Sequence, residues 1–234
     1  MKKIISSVIV LVLIFVVGVT KDELINVINK SFASPVISYD INEIPDYFGN
    51  SFVYLNDNKP NFTEEDYNLD EFESYSSLDY LGRCGVAFAN IGKKLMPTED
   101  RTSIGMVKPT GWNTVKYDII DGKYLYNRCH LIGFQLTGEN ANEKNLITCT
   151  RQMNSDVMLD FENEVANYIK DTNNHVLYRV TPVFEGDNLL AKGIILEASS
   201  VEDKGKSISY NVFIYNVQDG IEIDYNTGKS GLKK

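Results

Sequence analysis

The chain has 234 residues, enough for one sizeable core or for one domain with a leader and a linker. Its 43% hydrophobic and 24% charged content excludes a disordered or fibrous chain, and no internal repeat points to a solenoid. A net charge of -9 argues against a broadly basic nucleic-acid binder, but eleven acidic residues fall between Asp40 and Asp79 against Lys59 alone, and the remainder is nearly neutral.

At the start, Lys2 and Lys3 precede an apolar run from Ile4 to Val19, which is an export signal. As a helix the run spans roughly 24 Å, short of a bilayer core but tolerable if the flanking lysines snorkel. Gly18-Val19-Thr20 is a poor cleavage site, so residues 1–20 read as a signal peptide or, more readily, an uncleaved membrane anchor. Either way the rest of the chain faces the extracellular side. Residues 21–77 read as an acidic stalk or extended segment with one or two short strands, such as Phe52-Val53-Tyr54-Leu55. The aromatics of this segment argue against plain disorder. The core domain covers residues 78–234.

Within that domain, Tyr117-Asp118-Ile119-Ile120, Asp121-Gly122 and Lys123-Tyr124-Leu125-Tyr126 spell a hairpin, because Asp-Gly suits the positive φ of a tight primed turn. Leu146-Ile147-Thr148-Cys149-Thr150 predicts a second short strand. Phe161, Val165, Tyr168 and Ile169 recur at helical spacing, with Asp160 as N-cap. Three β runs follow at residues 175–184, 189–198 and 207–217, separated by Gly186-Asp187-Asn188 and Asp203-Lys204-Gly205 turns. This order predicts an α+β fold.

Two histidines restrict the choice of a general base. His175, at a strand start, reads as structural or exposed. His130 lies in Tyr126-Asn127-Arg128-Cys129-His130, where strand alternation puts Arg128 and His130 on one face and Asn127 and Cys129 on the other. An imidazole beside a guanidinium suits phosphodiester hydrolysis, one taking a proton from water and the other steadying charge on phosphate. Asn140 and Asn142 read as turn formers, with Arg151 nearby. Asn145 and Asn154 bracket the second strand. A ββα packing would bring the Asn154 amide oxygen toward His130, and one such oxygen suffices for Mg²⁺, which keeps several waters. Cys84, Cys129 and Cys149 have no zinc-ligand spacing. For an exported chain we expect a Cys84–Cys129 disulfide with Cys149 free. Cys129 and His130 point apart, so a cysteine hydrolase would need Cys84 or Cys149 to approach His130.

Asn127-Arg128-Cys129-His130 resembles the D-R-G-H motif of the DNA/RNA non-specific endonuclease family, within the ββα-metal (His-metal finger) nucleases. The similarity covers residues 78–228 and is most specific from 125 to 154. It implies a ββα-metal finger built onto a mainly antiparallel β-sheet, and an exported or membrane-anchored nuclease acting on DNA, RNA or both. By the same resemblance His130 is the general base, Asn154 the direct Mg²⁺ ligand with Mn²⁺ able to substitute, and Glu162 a carboxylate binding the metal through water. Asn145 is the amide supporting the site, and Arg128 lies near the phosphate. Asn127 in place of the motif's Asp and Cys129 in place of Gly are departures. The alternatives to a nuclease are an inactive surface nucleic-acid-binding module and the cysteine-dependent hydrolase.

Overall fold

The three β runs near the C-terminus form the middle of a six-stranded antiparallel sheet. They are β6 (Val176–Val183), β7 (Gly193–Ser200) and β8 (Ser209–Tyr215). A computed structural model describes residues 44–67 and 70–233, so the expected anchor at 1–20 and the first part of the acidic segment lie outside the described residues. Among the described residues no helix is long and apolar enough to cross a membrane. The strand order is β1-β8-β7-β6-β3-β2, where β1 is Phe52–Tyr54, β2 Phe72–Tyr75 and β3 Ala87–Ile91. Both edge strands therefore come from the acidic segment expected as a stalk, and the fold draws in chain well before residue 78.

That segment also covers the outer face of the sheet. Arg179 of β6 and Glu197 of β7 form a buried ion pair at 2.8 Å. Arg179 also donates to the Asn61 carbonyl, Glu197 accepts from the Asn61 amide, and Phe62 lies over the guanidinium. Two buried charges are tolerable because their remaining polar atoms find partners. β7 starts at Gly193, not near Leu189, because Leu190 turns away into a second apolar cluster with Ile120, Leu125, Tyr126 and Ile221.

The other face of the sheet carries the main core. A long helix, α2 (Leu159–Thr172; the short α1 is Phe134–Thr137), lays Val165, Ala166 and Ile169 against it, and Asn173 ends the helix in the left-handed conformation. Val165 and Ile169 each contribute roughly 1.5–3 kcal/mol on burial, and the Ala166 methyl about 0.8 kcal/mol. The expected hairpin is only a turn: Lys116 and Tyr124 make one isolated bridge, with positive φ at Gly122 and Lys123. Regular strand begins at Tyr126, since Ile119 and Tyr124 stay exposed and have no core to pair over.

Candidate active site

A separate two-stranded ribbon pairs β4 (Tyr126–His130) with β5 (Leu146–Thr150), and the helix follows directly. Its register sets Asn127 opposite Cys149 and Cys129 opposite Ile147, so the two cysteines lie diagonally on one face. They form a disulfide with Cα atoms 5.8 Å apart. This corrects the expected Cys84–Cys129 pairing: Cys84 is the buried free thiol, its single S–H shared between the Glu143 and Leu146 carbonyls. The disulfide also accounts for cysteine where the motif has glycine.

Asp160 is not the N-cap, because the helix starts immediately after β5. Thr150 Oγ1 accepts from the Met153 amide and Gln218 Oε1 from the Gln152 amide, satisfying the first free N–H groups. Residues Gln152–Met158 wind as a π-helix that runs into α2, so Asn154 lies inside the helix, not before it. Eight residues of ideal α-helix would set Asn154 and Glu162 about 80° apart around the axis. The wider winding absorbs about one residue, so the pair behaves as i and i+7 on one stripe. Both line one small cavity of about 210 Å³ with His130, Arg101, Gly133 and Gln135.

His130 is 6% exposed. Its Nε2 lies 2.7 Å from the Asn140 carbonyl, which only accepts, so Nε2 carries the proton and Nδ1 the lone pair. Asn140, expected only as a turn former, therefore sets the tautomer. Arg101 Nη2 stands 3.5 Å from Nδ1. Burial lowers the His130 pKa below the ordinary imidazole value; the Asn140 contact opposes this and Arg101 reinforces it. The ring is thus neutral near pH 7 with its basic nitrogen turned toward a cation.

Asn145 does not reach the cavity. It is fully buried, its Oδ1 accepting from the Ile132 amide and its Nδ2 donating to the Ile132 carbonyl, so it braces the loop after His130. Glu162 does reach the cavity. Burial raises its carboxyl to about 7, against smaller opposing effects of Gln135 and Arg101. Gly133 lies so close that an added Cβ would fall 2.8 Å from Glu162 Oε1 and nearer still to Oε2.

Among the described residues no group of three or more His, Cys, Asp or Glu could hold a metal ion. Any ion here would depend on a few oxygens, the Asn154 amide and Glu162 carboxylate. Oxygen donors with several retained waters fit Mg²⁺ better than zinc.

Arg128 is placed differently from its expected position beside His130. Its guanidinium donates to the Val107 and Gly105 carbonyls and lies 3.9 Å over the Trp112 ring. It lines an adjoining groove of about 550 Å³, which shares Arg101 and Asn154 with the His130 cavity. Arg101, Arg128 and Arg151 line this groove with no carboxylate among the lining residues, a local basic surface on an acidic chain, although Arg151 pairs with Asp121 beside it at 3.0 Å. Arg101 and Gly133 escaped the sequence reading. Arg101 sits in an irregular loop with no periodicity, whereas Gly133, three residues after His130, was a findable small residue. His175 is structural, 2.6 Å from Glu202 and 3.5 Å from Glu71.

A buried histidine on a ββα finger facing oxygen donors defines the class of ββα-metal nucleases. The sequence pattern of the DNA/RNA non-specific endonuclease family matches residues 62–203, more than half of the chain, and the protein belongs to that family. A deoxyribonuclease of Streptococcus dysgalactiae subsp. equisimilis is 30% identical over 110 residues, 45% of this chain but only 32% of that relative. The match thus spans about a third of the curated relative's length. NucA from Streptococcus agalactiae, solved with a magnesium ion bound, superposes with a TM-score of 0.71 at 25% identity, covering 92% of this chain and 97% of that one. The Sda1 nuclease, solved with a bound zinc ion, gives 0.64 at 25% identity, covering 79% and 97%.

Proposed function

We propose that this protein is an exported, metal-dependent endonuclease that hydrolyses phosphodiester bonds of DNA, RNA or both with little sequence preference. The observation that carries the reading is the meeting of His130, Asn154 and Glu162 in one cavity, beside a groove lined by three arginines. His130, fixed through Nε2 on the Asn140 carbonyl, takes a proton from the attacking water at Nδ1. Arg101 steadies charge on the phosphate at the wall shared by cavity and groove. Asn154 would hold Mg²⁺, or Mn²⁺ in its place, directly, with Glu162 one water further out. When bound, the ion supplies Lewis-acid stabilisation of charge on the phosphate and the leaving oxygen. Contacts made mainly to phosphates carry no base information, hence the low sequence preference.

Export rests on the Lys2-Lys3 leader, as a signal or an anchor, and on a disulfide of the kind kept in oxidising compartments. A cysteine hydrolase is disfavoured because Cys149 is disulfide-bonded and burial pushes the Cys84 thiol up to about 11. The test is incubation with plasmid DNA and with RNA in Mg²⁺ or in excess EDTA. Cleavage only with metal, insensitive to thiol alkylation, is expected. Full cleavage in EDTA would overturn the reading.

A further inference from the structure

We infer that the groove beside the catalytic cavity is a nucleobase-stacking subsite, with Tyr124 as its platform, that takes an unpaired nucleotide flanking the scissile phosphate. The inference rests on the nuclease reading and adds to it a preference for single strands.

Position comes first. Cavity and groove share Arg101 and Asn154, so a phosphate held at that wall directs one of its two nucleotides into the groove. At about 550 Å³ the groove is of a size that encloses small ligands, which run roughly 300–1,000 Å³. Its chemistry goes beyond phosphate binding, which needs only cations. Trp112 and Tyr124 line it too, and Tyr124 is 46% exposed. The ring is not loose: Tyr124 is bridged to Lys116, whose Nζ lies 4.4 Å over the ring. The Arg128–Trp112 stack, pinned by two carbonyls, offers a second flat surface, and guanidinium planes also stack on bases.

Stacking on aromatic rings tolerates every base, because each has a π face, so the subsite agrees with low sequence preference. It does not treat strandedness alike. In a duplex both faces of each base are already stacked, and a base reaches Tyr124 only from a single strand or an opened end.

The experiment compares the wild-type chain with Tyr124→Leu and Tyr124→Phe on single-stranded and duplex DNA in Mg²⁺. A parallel arm follows the fluorescence of 2-aminopurine in a single-stranded oligonucleotide bound in EDTA. Base stacking lost by truncation predicts a KM for single-stranded DNA raised roughly 5- to 100-fold in Tyr124→Leu, with a much smaller rise for duplex. Tyr124→Phe keeps the wild-type KM. The wild type and Tyr124→Phe quench the probe and Tyr124→Leu does not. Equal losses on both substrates, or quenching that survives in Tyr124→Leu, would overturn the subsite. The fluorescence arm needs no turnover, so a wild-type chain that cut nothing would count against the nuclease reading, while quenching would still decide the subsite.

Discussion

Glu162 offers a test in which stability reports on the metal site. Replacing it by Gln keeps the shape, and Gln135 Nε2, 3.5 Å from Oε2, still finds an acceptor. What disappears is a carboxylate that burial holds at about 7 instead of 4.5, a difference worth about 3 kcal/mol. Between those two values the folded chain keeps a proton that the unfolded chain has released. Stability is therefore full below about 4.5, falls as pH rises through the interval, and carries the whole cost above about 7. In EDTA at pH 8, Glu162→Gln should be more stable than the wild type by up to about 3 kcal/mol, or roughly 6–12 °C in Tm for a chain of this size. At pH 4 the two should melt together. Added Mg²⁺ should stabilise the wild type at pH 8 more than the variant, which keeps the direct Asn154 ligand but loses the carboxylate charge one water further out. Thermal melts at the two pH values, with and without Mg²⁺, measure all of this. A gain of equal size at pH 4 and pH 8 would refute the buried charge as its source.

His130→Ala should lower kcat by roughly 10²- to 10⁴-fold with KM nearly unchanged. In the wild type, a pH–rate profile should show the acid limb below the ordinary imidazole value of about 6.5, because the lowered pKa keeps the base unprotonated further into acid. Asn154→Ala should be nearly inactive though folded, and Asn154→Asp impaired despite keeping an oxygen, as the added charge repels phosphate; turnover across a Mg²⁺ titration separates the two. Gly133→Ala should weaken Mg²⁺ binding by calorimetry, because its methyl displaces the Glu162 carboxylate. Cys129→Ser should lose about 3 kcal/mol in denaturant melts, the chain-entropy value for a 20-residue separation, and non-reducing peptide maps should find Cys84 free.

The elements read most accurately from sequence were those whose local pattern and tertiary setting agree. Leu146–Thr150 is an unbroken β-prone run bounded by Asn145 and Arg151, and it forms that strand. His130 stood out because only two histidines exist and His175 falls at a strand start, where the structure holds it between Glu71 and Glu202. Failures came where long-range contacts decide. The acidic segment looked like a stalk because the partners of its strands, β8 and β3, lie far along the chain. The cysteine pairing depends on a two-residue diagonal in the β4–β5 register, which spacing alone does not reveal. Helix onset was misplaced because its cap is a strand residue, Thr150, and the apolar residues before Asp160 follow a π rather than an α period.

That π stretch also changes how insertions and deletions would act on this enzyme. Removing one residue between Asn154 and Met158 would let the segment relax into ordinary α-helix, with better hydrogen bonding and no loss of a site side chain. Asn154 and Glu162 would then stand at i and i+7 of an α-helix, about 20° apart, so the pair would keep its stripe. Straightening the π turn with every residue kept would instead set them about 80° apart and break the site. What the extra residue and its wide winding preserve together is a phase around the helix axis, and a change of winding alone can abolish it while every side chain of the cavity survives.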